Sequence, residues 1–307
     1  MEKGIEFGHV VPHICSPTNP VDCLILSLWR LFNWHRLTFS PGFNAPIFGL
    51  SRYVFTVHDL NHIEFPQRNL MHLLYYRFII RRACRKSAAI LTVSEYSKKR
   101  IVEWAKVKSE KVTVVGNGVS PIFQPEGKSH QPGYPYYLMV SNRKRHKNEE
   151  LTLKAFATAK VNANSRVLIT GHPTEQLTAY LRELGLEDRV VFLGRCSDDQ
   201  LATYYRGASA LLFVSLYEGF GLPVVEAMAC GTPVIASNVC SLPEVAEDAG
   251  VLVNPRSLNE IAEAIEKLEH NVSGVREILI RKGLRRSQYY QWDSVVKRVC
   301  AVLDVLQ

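Results

Sequence analysis

The chain has 307 residues, 47% of them hydrophobic and 21% charged, with a net charge of +8. That is enough apolar material for two globular domains, and no apolar run approaches the ~20 residues needed to span a bilayer. Acidic Glu2 and Glu6 argue against a signal peptide, and seven cysteines without metal-ligand spacing read as reduced thiols of a cytoplasmic protein.

Val21 to Phe32 reads as a helix. Arg52 to Val57 is a short β-rich run that ends at His58-Asp59. Leu70 to Ser87 has helical pattern, and Ala88 to Val93 is an apolar run of buried-strand type. Ser94 suits the cap of a helix over Glu95 to Ala105. Lys111 to Val115 is a further strand, closed by Gly116-Asn-Gly118. Basic residues crowd this half. Arg77, Arg81 and Arg85 fall at i, i+4, i+8 along one helical stripe, with Arg82, Lys86, Lys98, Lys99, Arg100, Lys106 and Lys108 close by. Such a run reads as a solvated helix face or as a patch for anionic lipid headgroups. Nucleic acid fits poorly, because no zinc-finger spacing and no aromatic RNA-binding motif is present.

Pro121 to Pro135 is rich in Pro, Gly, Ser and Gln without apolar periodicity, which marks a domain boundary. The expected organisation is a first domain over residues 1–122, a linker over 123–135, a second domain over 136–290 and a closing helix over 291–307. The second half restarts with a strand over Tyr136 to Val140. Helix Leu151 to Ala159, strand Arg166 to Thr170, helix Thr174 to Leu184 and strand Arg189 to Leu193 follow. Ser197 to Gln200 fits a capping box, which accounts for Asp198 and Asp199 without a metal. Ala210 to Val214 is another buried strand, and Trp292 to Leu306 an amphipathic helix. Alternating strands and helices of this kind predict a parallel α/β architecture.

The most specific segment is Ser215-Leu-Tyr-Glu-Gly-Phe-Gly-Leu-Pro-Val-Val-Glu226. Two carboxylates stand eight positions apart around a Gly-Phe-Gly loop, and Pro223 suits the first turn of a helix. Gly219 and Gly221 let the backbone approach a ligand, and the helix start offers unpaired N–H groups to an anion. Phosphate would meet backbone donors and hydroxyls would meet the carboxylates. Either piece alone occurs often by chance; the combined string is far more specific. It resembles the Glu-x7-Glu signature of the retaining glycosyltransferases of family 4, and Gly231 to Ala236, Leu242 to Val245 and Ala249 to Val253 resemble that family in the same order.

The resemblance implies a GT-B fold, two Rossmann-like α/β domains facing a cleft, with the last helix crossing back onto the first domain. It implies transfer of a hexose from a GDP- or UDP-linked donor, GDP being favoured by the mannosyltransferase-like run His58 to Pro66. The acceptor would be a glycan or a lipid-linked glycan in surface polysaccharide synthesis. No metal or other cofactor is expected. Glu218 and the Gly219, Phe220, Gly221, Leu222 and Pro223 backbone match the donor-sugar contacts, and Glu226 the ribose contact. Lys147, in the loop Asn142 to Asn148, matches a diphosphate-binding lysine. The family's upstream arginine would fall at Ser141, so Arg143 or Arg145 is expected to substitute. His58, at the C-terminal end of a strand, matches a histidine at the cleft edge. Gly171 and Arg195, in loops after strands, match weaker nucleotide-base contacts.

Family members open with a strand and a Gly-rich loop, which Met1 to Leu31 does not show, so the first domain reads as shortened. That keeps a second reading open, a non-catalytic nucleotide-sugar-binding relative or a subunit completed by a partner chain or a second copy. A nucleotide-sugar epimerase or a phosphorylase of the same fold fits the second-domain motifs less well. The expected location is cytoplasmic, peripheral on the inner face of a membrane.

Overall fold

The computed structural model describes residues 22–65 and 70–307. The chain divides into two compact units. The first comprises residues up to Gly116 together with Asp293–Gln307, and the second is Asn117–Trp292.

In the first unit, helix α1 (Asp22–Phe32) leads to strand β1 (Thr38–Ser40), and β2 (Tyr53–Thr56), β3 (Ala89–Thr92) and β4 (Val112–Val114) complete a parallel sheet in the order β1-β2-β3-β4. Strands β2 and β3 are buried along their whole length, which is why they read as continuous apolar runs rather than alternating ones. Short helices α2 (Asn61–Glu64), α3 (Leu70–Leu74) and α4 (Arg81–Lys86) and helix α5 (Glu95–Ala105) make the crossovers. Tyr76, Ile80, Ala83, Cys84 and Ile101 pack with Tyr53 and Phe55 of the sheet. Val54, Ala89, Leu91 and Val115 form a second cluster with Leu303 of helix α13 (Trp292–Leu306), and the Arg298 guanidinium donates to the Val115 carbonyl at 2.8 Å. The arginine stripe expected on one continuous helix is altered. Tyr75–Ile80 is a π-helical turn, whose wider i→i+5 winding shifts the phase between Arg77 and Arg81. Arg77 and Arg85 are exposed, whereas Arg81 is half-buried. Arg100 is also removed from the basic patch, being paired with Glu64 and Glu103.

Arg30 of α1 is fully buried. Its guanidinium donates to the carbonyls of Gly49, Asn33, Arg36 and Trp34 and to the Thr38 hydroxyl. These bonds satisfy the charge and tie the turn before β1. The outer side of α1 shows Leu24, Leu28, Leu31 and Phe32, all exposed, and β1 is an edge strand among the described residues. The expected absence of an opening strand and Gly-rich loop falls mostly on residues 1–21, outside the described residues, as does Pro66 of the mannosyltransferase-like run.

The second unit is a six-stranded parallel sheet, order β10-β9-β8-β5-β6-β7. Its strands are β5 (Tyr136–Met139), β6 (Arg166–Ile169), β7 (Val190–Phe192), β8 (Ala210–Phe213), β9 (Val234–Ser237) and β10 (Val251–Val253). The intervening helices are α6 (Glu149–Thr158), α7 (Glu175–Glu183), α8 (Asp198–Gly207), α9 (Leu222–Ala229) and α10 (Leu242–Ala246), followed by α11 (Leu258–Glu269) and α12 (Val275–Ser287). The Ser197 capping box is formed in both directions. The chain builds outward from β5 to β7, then returns to β8 on the other side of β5 and builds outward again. The order reverses between β5 and β8, and in open α/β sheets of this kind ligands bind beyond the carboxyl ends of the strands at that point.

The break between the units lies at Gly116/Asn117, earlier than the composition suggested. Residues 123–135, expected to be a free linker, belong to the second unit. Phe123 is buried edge-on against Tyr205, Arg206 donates to the Gln124 and Lys128 carbonyls, and the His130 amide donates to the Thr203 carbonyl. The segment lacks apolar periodicity because it is held by backbone bonds to α8.

Candidate active site

The loops after β5 and β8 meet at the point of strand reversal. After β5, residues Arg145–Lys147 form one 3-10 turn, closed by Asn148 in the left-handed region at φ 56°. The Asn148 side-chain amide donates to the Val214 carbonyl at 3.0 Å and to the Pro255 carbonyl at 2.7 Å, so this loop is stitched to the end of β8. The Leu216 amide donates to the His146 carbonyl at 2.7 Å. His146 is buried, and burial, with Lys147 and Lys144 adding to it, pushes its imidazole down to about 4. It is therefore a neutral spacer under the cationic loop.

These bonds bring Lys147 to Glu218. The ammonium Nζ donates to Glu218 Oε1 at 2.6 Å, with each side chain about one-seventh exposed (13% and 14%), and Nζ lies 4.7 Å from the Phe213 ring centroid. An ammonium carries three donors, so the contact with Glu218 leaves others for an anion.

The Glu218–Gly221 loop is pinned from beneath. The Ser241 hydroxyl lies within hydrogen-bonding distance of the carbonyls of Glu218 (2.9 Å) and Phe220 (3.0 Å), and the Ser237 hydroxyl donates to that of Ser215 (2.6 Å). Phe220 is buried edge-on against Tyr290. Gly221 sits at φ 103° and a Cβ there would fall 2.5 Å from Leu242 Cδ2, so a side chain would be strained. It caps α9, with Pro223 in the first turn and Leu222 partly exposed beside it. Pro223 has no N–H to leave unpaired there, and the Val224 amide donates to the Gly221 carbonyl at 3.0 Å.

Glu226, one turn into α9, accepts a hydrogen bond from the Tyr205 hydroxyl at 2.9 Å. Burial pushes its carboxyl up to about 7; the Tyr205 bond opposes this and Asp198 adds to it. Tyr205 is fully buried and its carbonyl accepts from Thr232 at 2.6 Å, so Glu226 Oε2 is held in a fixed position.

The remaining expected residues divide. The Arg143 guanidinium is engaged by protein: it donates to the His172 carbonyl at 2.9 Å, to the Thr170 carbonyl and to Glu149, and lies over Phe192. With φ 62°, it braces the loops after β5 and β6. Arg145 is exposed and has no such contacts. Gly171 and Gly194 join the loops after β6 and β7 through a 2.6 Å amide-to-carbonyl bond, and Arg195 is exposed beside them. His58 belongs to the other unit. It is exposed two residues past β2, its Nε2 lies 3.1 Å from the Pro41 carbonyl, and its own carbonyl accepts from Ser97. Tyr205, Ser237, Ser241 and Asn148 were not singled out from sequence. Their signal is weak, because each is a common polar residue whose role depends on which strand end lies next to it.

Two family models match the chain. Residues 122–286 match the glycosyl transferases group 1 and residues 32–122 match glycosyltransferase family 4. The first covers more than half of the sequence, and the protein belongs to the group 1 glycosyl transferases. It is 29% identical over 277 residues to the O-antigen chain mannosyltransferase RfbU of Salmonella typhimurium, spanning 84% of this chain and 75% of that one. The MMP α-(1→4)-mannosyltransferase of Mycolicibacterium hassiacum is 33% identical over 234 residues, 73% of this chain and 56% of the relative. Among solved structures, sucrose-phosphate synthase from Thermosynechococcus elongatus aligns with a TM-score of 0.75 at 20% identity, covering 97% and 82% of the two chains. Anabaena HepE, solved with UDP and glucose, gives 0.73 at 19%, covering 94% and 83%. These likenesses establish the GT-B fold.

Proposed function

We propose that this protein is a retaining hexosyltransferase, mannose being the favoured sugar, that uses a nucleotide diphosphate donor and extends a glycan or lipid-linked glycan of a surface polysaccharide. The observation that carries the reading is the Lys147–Glu218 contact at the carboxyl ends of β5 and β8. A cation for the leaving diphosphate and a carboxylate for sugar hydroxyls stand side by side there, above the start of α9. Transfer breaks the bond from the anomeric carbon to the diphosphate oxygen and forms one to the acceptor oxygen on the same face. The acceptor proton passes to the departing phosphate. Negative charge gathers on the diphosphate as the bond breaks, and Lys147 offsets it from a fixed position. In this reading no metal is needed, and Arg145 rather than Arg143 is the second phosphate cation. Glu226 accepts from the ribose, Gly171 and Arg195 border the base, and His58 contacts the sugar or the acceptor. The mannosyltransferases among the relatives support the choice of sugar.

The test is nucleotide release from a panel of GDP- and UDP-sugars with membrane extract as acceptor source, with NMR of the product anomer. Lys147→Ala and Glu218→Ala are each expected to lower kcat/KM by about a hundredfold or more. Turnover unchanged in both variants, or an inverted product, would refute the assignment. A second reading, a donor-binding subunit that needs a partner chain or second copy, is favoured by the exposed apolar side of α1 beside the edge strand β1. Binding of donor without turnover by the isolated protein would select it. We also propose that the protein works in the cytoplasm, touching the inner membrane face through its basic first unit; among the described residues no helix is long and apolar enough to cross a membrane.

A further inference from the structure

The amino-terminal ends of β3 and β4 border a second, unassigned feature. An open hollow of about 500 Å³ is lined by Arg85, Ala88, Lys106, Val107, Lys108, Glu110 and Lys111. It lies within the first unit, at the strand ends opposite to the one that bears His58. Four cations and one carboxylate converge on it. Part of that charge is structural. Helices α4 and α5 both end here, and each helix C-terminus carries roughly half a negative charge. Arg85 Nε donates to the terminal carbonyl of α5, that of Ala105, at 2.7 Å, and Lys111 Nζ donates to the Arg85 carbonyl at 2.7 Å. These bonds fix the two side chains in place. After subtracting Glu110 and the two helix ends, the hollow retains a charge of about +2.

Among the described residues, no ion pair offsets this remaining charge. Lys106 is held in the left-handed region at φ 57° as the cap of α5, and both it and Lys108 are exposed without an ion pair.

We propose that this hollow is a phosphate-binding site, separate from the candidate active site, that takes a phosphomonoester dianion. The Arg85 guanidinium, its Nε already anchored, presents its terminal nitrogens, and Lys106 and Lys108 close on the phosphate oxygens from the loop after α5. The phosphate arrives either on a membrane lipid headgroup or on a soluble phosphorylated compound; the same donors read both.

The experiment compares the full-length protein with Lys106→Gln/Lys108→Gln and with the charge-preserving Lys106→Arg/Lys108→Arg. One arm titrates inorganic phosphate by calorimetry at low salt. The other floats the protein with phosphatidylcholine vesicles, plain or doped with phosphatidic acid. Both lysines are exposed, and thermal unfolding checks that the variants fold. Phosphate also meets Lys147 in the second unit, so the quantity read is the part that depends on Lys106 and Lys108. The glutamine pair is expected to weaken that binding roughly thirtyfold, about fivefold for each lysine, and the arginine pair to retain it. A loss confined to free phosphate assigns a soluble ligand, and a loss on phosphatidic acid vesicles assigns the headgroup. Equal binding by all three proteins in both arms, or failure of the arginine pair to bind, overturns the site. Neither outcome depends on glycosyl transfer.

Discussion

Glu226 offers a stability test that needs no substrate. Its carboxyl titrates near 7 in the folded protein against an ordinary 4.5. The native state therefore keeps a proton through a pH window in which the unfolded chain has lost it. Stability falls as pH rises from about 4.5 to about 7 and is level above, the sign required when the native state binds more protons. A rise of about 2.5 units corresponds to ~3 kcal/mol at full ionisation. Glu226→Gln cannot titrate, so its stability relative to the wild type should climb across that window and reach up to ~3 kcal/mol above pH 7. Tyr205→Phe removes the hydroxyl that favours the ionised form, and should move the upper end of the window to higher pH. Urea midpoints of the three proteins from about pH 4 to pH 8, with carboxyl ¹³C shifts of Glu226, measure both effects. A wild type and Glu226→Gln whose stabilities run parallel with pH would refute the argument, because the carboxyl would then ionise equally in both states.

Two other outcomes follow from the geometry. Lys147→Met and Glu218→Gln should each destabilise the ligand-free protein by about 2 kcal/mol, with the double variant recovering most of the loss, since either single change strands a largely buried partner; additive costs in the urea cycle would count against the pair. Gly221→Ala should cost about 2 kcal/mol or more and Gly185→Ala, which also has positive φ but open space around it, only about 1 kcal/mol. The excess at Gly221 reflects collision with fully buried Leu242, and equal melting temperatures would mean that the loop yields.

Much of this protein was legible in its residues. Strand runs such as Ala88 to Val93 and Tyr136 to Val140 are buried on both faces, so hydrophobicity alone marks them, and helices Glu95–Ala105 and Trp292–Leu306 fall where cap and amphipathic pattern placed them. The Glu218–Glu226 string was readable because glycine and proline there answer backbone demands that are local. Strand Thr38–Ser40, the π turn at Tyr75–Ile80 and the docking of residues 123–135 were not readable. Thr38–Ser40 has one apolar residue between two polar ones, whereas the equally short Val112–Val114 and Val190–Phe192 are apolar enough to show, and the docking depends on distant partners. The loop chemistry divides in the same way. Sequence matched Lys147 to a diphosphate-binding lysine and left Arg143 and Arg145 as alternatives for a second cation. Only the sheet order set Lys147 against Glu218 while turning Arg143 onto Glu149 and the Thr170 carbonyl. Residue type fixes which charge a side chain carries, but its partner is decided by which strand ends lie together, a consequence of the whole sheet's packing.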